Sequence, residues 1–244
     1  MLMSGVNFAL YYAIFKGQWR KMLANEELRC YLLINLGCTM AVFLNLYLSD
    51  HFGLMDSLRH SFFQVTSIMT TTGYSTVDFD VWPTFSKLVL FLLMFVGASS
   101  GSTGGAIKVI RIVVVFKLVR REMQKVLHPK AVIPVSINGH SLKPEVVTSI
   151  ASFFVLYIMI FLAASLALTF EGIDMVSATS AVAATLGNIG PGFGVVGPLL
   201  TYADFNVFSK LLLSLMMLLG RLELFTMLVV LTPSFWKQSS KQRR

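Results

Sequence analysis

The chain has 244 residues, 55% of them hydrophobic and 13% charged, with a mean hydropathy of +0.72 and a formal net charge of +8. Soluble domains carry about 25% charged residues, so composition excludes an ordinary soluble fold and indicates a polytopic α-helical membrane protein. The positive balance does not indicate nucleic acid, because the basic residues fall in short runs between apolar segments, as in cytoplasmic loops.

Residues 1–15 are apolar but short for a span and are expected to be the end of a transmembrane helix. They lack the basic start and small-residue cleavage site of a removable signal peptide. Residues 16–29 place Lys16, Arg20, Lys21 and Arg29 against Glu26 and Glu27, and residues 30–48 are long enough to cross a bilayer. Cys30 and Cys38 share that span; eight residues of helix rise about 12 Å, too far for a disulfide, so both are expected to pack. Asp50, His51 and Asp56 mark a polar break, with His51 expected as a solvated loop residue.

Residues 54–69 carry Arg59, His60 and Gln64 and are too short and polar to span. A re-entrant helix is expected there. It leads directly into Thr70-Thr71-Thr72-Gly73-Tyr74-Ser75. Alone, that segment fits an extracellular turn or an ion-selectivity segment. Non-helical backbone survives at membrane depth only inside protein or along water, and rings of backbone carbonyls can replace an ion's hydration shell. The preceding helix would also aim its negative end at a cation.

Residues 88–96 and 106–119 are two apolar halves separated by the glycine-rich stretch 97–105. Each glycine costs about 1 kcal/mol in a helix relative to alanine, so a flexible intramembrane loop is expected, with an ordinary inter-helix loop as the alternative. Lys108 and Arg111 lie just past it. Residues 117–130 are strongly basic, and residues 132–143 form a linker with turn signals at Pro134, Asn138 and Gly139. A span is expected over residues 146–170, closed by Glu171 and Asp174. Then come a small-residue helix over 175–186, a second glycine-rich segment over 185–192 and a span over 207–231. Lys237, Lys241, Arg243 and Arg244 lie at the end of the sequence. The basic runs fall on one side and most acids on the other, so the glycine segments open outward by the positive-inside rule.

The order span, re-entrant helix, glycine segment, span occurs twice. Phe85-Ser86-Lys87-Leu88 matches Phe208-Ser209-Lys210-Leu211, and the same offset pairs Leu90 with Leu213, Met94 with Met217 and Gly97 with Gly220. Thr71-Thr72-Gly73 lines up with Thr185-Leu186-Gly187. Matches in register argue for duplication. Arg221 follows Gly220 midway along the last span, with Glu223 two residues on and not facing it on a helix; such residues mark ion pathways, the alternative being an arginine paired within the bundle. The expected division is residues 1–29 as a helix end plus loop, 30–130 and 146–244 as two pore repeats, and 131–145 as a cytoplasmic linker.

Together, residues 70–75, Gly-Ser-Thr-Gly-Gly at 101–105, residues 186–192 and Gly220-Arg221 resemble potassium uptake proteins of the TrkH/KtrB type. The resemblance covers essentially the whole chain and falls on the family's third and fourth repeats. It implies an all-α polytopic fold, two span–pore helix–span repeats making half of a pseudo-fourfold potassium-channel-like pore. Carried over by position, it implies filter segments at Thr71, Thr72, Gly73, Tyr74 and at Thr185, Leu186, Gly187, Asn188, with K⁺ as the permeant ion and no covalently bound cofactor. It implies a gate of Ala98, Ser99, Ser100, Gly101, Ser102, Thr103, Gly104 and Gly105 opposed by Arg221. Further implications are passive or cation-coupled entry (symport), a homodimer, a cytosolic nucleotide-binding regulatory subunit, and a multi-pass place in the bacterial cytoplasmic (inner) membrane. The first two repeats are missing and are expected in the same or another chain. The alternative is a truncated, non-conducting subunit that assembles with a partner. No paired carboxylates, metal-ligand cluster or serine–histidine set lies at membrane depth, so no enzyme is expected.

Overall fold

The computed structural model describes residues 1–131, 133–222 and 224–231. Ten α-helices are seen among the described residues: α1 (Phe8–Phe15), α2 (Trp19–Ala24), α3 (Glu26–Leu48), α4 (Leu54–Met69), α5 (Thr84–Leu93), α6 (Val109–Leu127), α7 (Pro144–Phe170), α8 (Met175–Leu186), α9 (Val207–Arg221) and α10 (Leu224–Leu231). Helices α3 and α7 are long and apolar enough to cross a membrane. Many large apolar side chains face outward, among them Leu33, Leu36 and Leu166; lipid rather than water suits them.

Helices α3 and α8 start where a side chain meets the free N–H groups of the first turn. Asn25 caps α3 by accepting from Leu28 N–H at 2.9 Å, and Asp174 caps α8 by accepting from Ser177 N–H at 3.0 Å. Helix α7 opens on Pro144, whose missing N–H is no loss at the first position. Helices α4 and α8 occupy the stretches expected of re-entrant helices, both surrounded by protein: Val65, Ile68, Ala183 and Ala184 share one buried cluster.

Duplication is visible in the contacts. Ser86 donates to Asn45 Oδ1 at 2.7 Å near the end of α3, and Ser209, 123 residues later, donates to the Glu171 carboxylate at the end of α7. Lys87 Nζ donates to the Asp80 carbonyl and Lys210 Nζ to the Ala203 carbonyl, the same reach back of seven residues. Edge-on aromatic pairs, Phe79–Trp82 and Tyr202–Phe205, precede them at the same offset. The halves also meet: Phe79 packs edge-on to Phe193, and Asp80 Oδ2 accepts from Gly194 N–H at 3.1 Å.

Several expectations change. Residues 1–15 are not one helix end: a 3-10 turn (Leu2–Gly5) is followed by α1, capped by Asn7. Arg120, Arg121 and Lys125 lie on a helix, because α6 runs to Leu127. The linker is a two-stranded hairpin, Ser136–Ile137 with His140–Ser141; Asn138 and Gly139 both take positive φ, as its tight turn requires. Residues 207–231 are two helices, since α9 ends at Arg221 and α10 begins at Leu224. Cys30 and Cys38 are free and half-buried. The basic tail, Lys237, Lys241, Arg243 and Arg244, lies outside the described residues.

The Ser177 N–H and hydroxyl hold the Asp174 carboxyl below its usual range. A depressed value contributes stability that is full above the unfolded-state value and fades as pH falls through the folded one. Asp174→Ala is expected to cost about 1 kcal/mol at neutral pH, with the difference from wild type closing below the ordinary carboxylate range. Thermal unfolding in detergent at neutral and acid pH checks this.

Candidate functional site

Where α4 and α8 end, the backbone does the same thing twice. After α4, Thr70 N–H donates to Thr66 O, Thr71 N–H to Ile68 O, and Thr72 N–H to Ser67 O. After α8, Gly187 N–H donates to Ala183 O, Asn188 N–H to Thr185 O, and Ile189 N–H to Ala184 O. Thr71 and Asn188 take φ of 53° and 56°, and Gly73 and Gly190 take 76° and 113°. The equivalent residues are therefore Thr70 and Gly187, Thr71 and Asn188, Thr72 and Ile189, Gly73 and Gly190.

This register corrects the sequence alignment. Thr185 and Leu186 lie inside α8, and Gly187 is its right-handed C-cap. Matching Thr-x-Gly by identity slipped the second segment by three residues, from an offset of 117 (71 to 188) to one of 114 (71 to 185). Asn188 stays in the segment, and Ile189 and Gly190 join it. The missed signal was the helix cap: the glycine that ends a helix differs from one two or three residues beyond it.

The two segments touch. A methyl built on Gly73 would sit 2.0 Å from the Ile189 carbonyl oxygen, so only a bare Cα allows that approach. Among the described residues nothing donates to the carbonyl oxygens of Thr71, Thr72, Gly73, Asn188 and Ile189. Others are engaged: Ser67 Oγ donates to Tyr74 O at 2.6 Å, and Tyr202 OH donates to Gly190 O at 2.6 Å. Tyr74 thus keeps its side chain exposed and its carbonyl occupied. The hydroxyls of Thr70 and Thr72 lie 2.8 Å apart.

Residues 94–108 join α5 to α6. The loop's two ends are paired, Gly97 N–H to Ile107 O at 2.9 Å and Ile107 N–H to Phe95 O at 3.2 Å. Gly105 N–H donates to Thr71 Oγ1 at 2.9 Å, and a methyl on Gly105 would sit 2.5 Å from Gly187 O. The loop therefore packs under both segments. Ala98 and Ser99 are buried. Ser100 N–H donates to Glu27 Oε1, Ser102 N–H to Ser99 O, and Gly101 O accepts from Phe8 N–H.

Arg221 reaches this loop, donating from Nη1 to Thr103 O at 2.8 Å, and Lys108 Nζ donates to Gly104 O. Arg111 lies over the Phe153 ring, 4.0 Å from its centre. These three cations, residues 102–106 and Tyr157 line a cavity of about 160 Å³. The sequence placed Lys108 and Arg111 just past the glycine-rich stretch; the structure puts them beside Arg221. Arg221 can stand there because Gly220 lets α9 lie against the end of α8, its Cα close to Leu186 O.

Comparison with known proteins follows this geometry. The family model described as TrkH, cation transport protein, matches residues 1–238. The Trk system potassium uptake protein TrkH of Vibrio parahaemolyticus is 39% identical, over 97% of this chain and 49% of its own length. TrkH of Salmonella typhimurium is 37% identical over 98% of this chain and 49% of its own. TrkG of Escherichia coli is 33% identical over 97% and 48%. The crystal structure of the potassium transporter TrkH from Vibrio parahaemolyticus superposes with a TM-score of 0.89 at 38% identity, covering 96% of this chain and 51% of that one. The chain spans about half the length of the curated relatives it matches.

Gly220→Ala would place a methyl 1.9 Å from Leu186 O and 2.8 Å from Asn188 Nδ2. Overpacking against fixed backbone is expected to cost about 1–3 kcal/mol. Gly37→Ala, on α3 with nothing within 4 Å, is expected to be neutral or slightly stabilising. Unfolding midpoints of the two purified variants give the comparison.

Proposed function

The chain belongs to the TrkH family of cation transport proteins, and on that footing we propose that it forms half of a potassium uptake pore. A membrane location goes with that membership. The ion would pass where the Gly73 and Gly190 segments meet, and the carbonyls of Thr71, Thr72, Gly73, Asn188 and Ile189 would replace part of its hydration shell. One observation carries the reading: two identically wound helix ends, in contact, keep these carbonyl oxygens without a protein donor. Acceptors held from water without donors are costly; Ile189 is buried and Thr71, Thr72, Gly73 and Asn188 are half-buried, and a dehydrated cation is a partner that would balance them. Asn188 lacks the hydroxyl of Thr71, so the two segments would contribute unequally.

Below the segments, residues 98–105 would close the path, with Arg221 as a positive barrier. The carbonyls of Thr103 and Gly104 are engaged by Arg221 and Lys108, which supports a loop held across the route. A complete ring needs about four segments, so two more repeats, in the same or another chain, would finish the pore. By family resemblance the assembly would be a homodimer in the bacterial inner membrane, with a nucleotide-binding regulatory subunit on the basic face. Entry would be passive or coupled to a cation.

The half-length match supports one alternative, a subunit that assembles but conducts nothing alone. Expression in a cell deficient in potassium uptake, with and without a chain supplying two further repeats, separates the two. Growth at low potassium in either arm supports the pore; growth in neither removes it.

Two substitutions test the assignment in a conducting complex. Gly190→Ser is expected to lower discrimination of potassium over sodium; an unchanged ion ratio would remove Gly190 from the path. Arg221→Ala is expected to raise flux. A unit charge roughly 10 Å from the ion, at an effective dielectric near ~20, adds about 1.7 kcal/mol, so the rise is on the order of tenfold. Lower flux with intact folding would contradict the barrier.

A further inference from the structure

The loop over residues 98–105 is held by a charge that its own sequence does not contain. Glu27, on the first turn of α3, is 5% exposed. Its Oε1 accepts from Ser100 N–H at 2.5 Å, its carboxylate takes a second backbone hydrogen bond from Ile110 in the first turn of α6, and Lys108 is its nearby cation. One buried carboxylate thus ties the middle of the loop to the helix that follows. Around it, Ser99 N–H donates to Gly5 O at 2.9 Å, and Ala98, Leu28, Tyr31, Met69 and Val109 close the packing.

We propose that Glu27 is the latch of this loop, a positioning residue whose hydrogen bond to Ser100 must break before the loop can leave the path. The inference rests on the loop being the gate, but the latch has a readout of its own. A buried charge is tolerated only while its partners surround it. Moving the loop away removes the Ser100 donor and leaves the carboxylate under-partnered beside α6. Loop displacement and release of Glu27 are therefore a single event, and the closed arrangement is favoured by what displacement would strand. The neighbouring Glu26 is engaged elsewhere: its Oε1 accepts from Asn138 N–H of the hairpin, and its Oε2 pairs with Lys117. It anchors the same turn without touching the loop.

The test uses the protein in native membranes, with Cys30 and Cys38 replaced by alanine and Ser99→Cys as reporter. Ser99 is 1% exposed and its hydroxyl has no partner among the described residues, so the thiol is small, buried and sensitive to opening. Glu27→Gln is expected to raise its labelling by a water-soluble maleimide at least about tenfold. Glu27→Asp, which keeps the charge, should restore part of the protection. Ser100→Pro removes the donor while keeping Glu27 and should match Glu27→Gln, which covers the case where that variant folds poorly. Unchanged labelling in both Glu27→Gln and Ser100→Pro overturns the latch. An equal rise in Glu26→Gln also overturns it, since the effect would then be general loosening of the turn. Flux is measured separately. Raised labelling without raised flux would keep the latch and count against the loop as gate, so the two failures are distinguishable.

Discussion

Everything in this fold depends on where backbone carbonyls can go when a helix stops inside a packed bundle. A helix leaves its last carbonyls without intrahelical donors, and lipid offers none. Helices α4 and α8 both stop against surrounding protein, with the same sequence of backbone hydrogen bonds and the same excursion to positive φ at Thr71 and Asn188. Such ends persist only if buried in protein or balanced by something polar. Here α3, α5, α7 and α9 bury the helices themselves, while several carbonyls beyond them remain without a donor. A cation that sheds water is the natural complement to oxygens placed this way.

The surrounding structure holds these two ends together. Gly73 and Gly220 each lack a side chain where backbone from the other half, or from the neighbouring helix, comes close. Ser86 and Ser209 fix α5 and α9 to the ends of α3 and α7. Asp80 crosses from one repeat to the loop of the other. Below, the glycine-rich connection is bound on every side: by Thr71 above, by Arg221 and Lys108 through its carbonyls, and by Glu27 through Ser100. Order in this loop comes from neighbours rather than from its own propensity, which is how a stretch of glycine and serine can be well placed.

Much of this was legible in the sequence, and the reasons differ by element. Polar residues inside a short apolar stretch gave away α4, and the Ser-Ala-Thr-Ser-Ala run gave away α8. Nine residues of glycine, serine, threonine and a single alanine could only be a break. The end of α9 was hidden, because apolar residues run on to Leu231 past Arg221, where Gly220 lies against Leu186 and Arg221 reaches Thr103. The second segment was misregistered because identity favoured Thr185 and Gly187, whereas hydrogen bonding makes one a helix residue and the other its cap. Glu27 read as a counter-charge among basic neighbours, since nothing local reveals a partner 73 residues away.

The central claim is that the backbone oxygens after α4 and α8 coordinate one permeant ion. Anomalous diffraction from crystals of the conducting complex grown in thallium measures this directly. A thallium peak is expected between the Thr71-Thr72-Gly73 and Asn188-Ile189-Gly190 backbones, within coordination distance of carbonyls from both. Thallium bound elsewhere, with no peak between those two backbones, would contradict it.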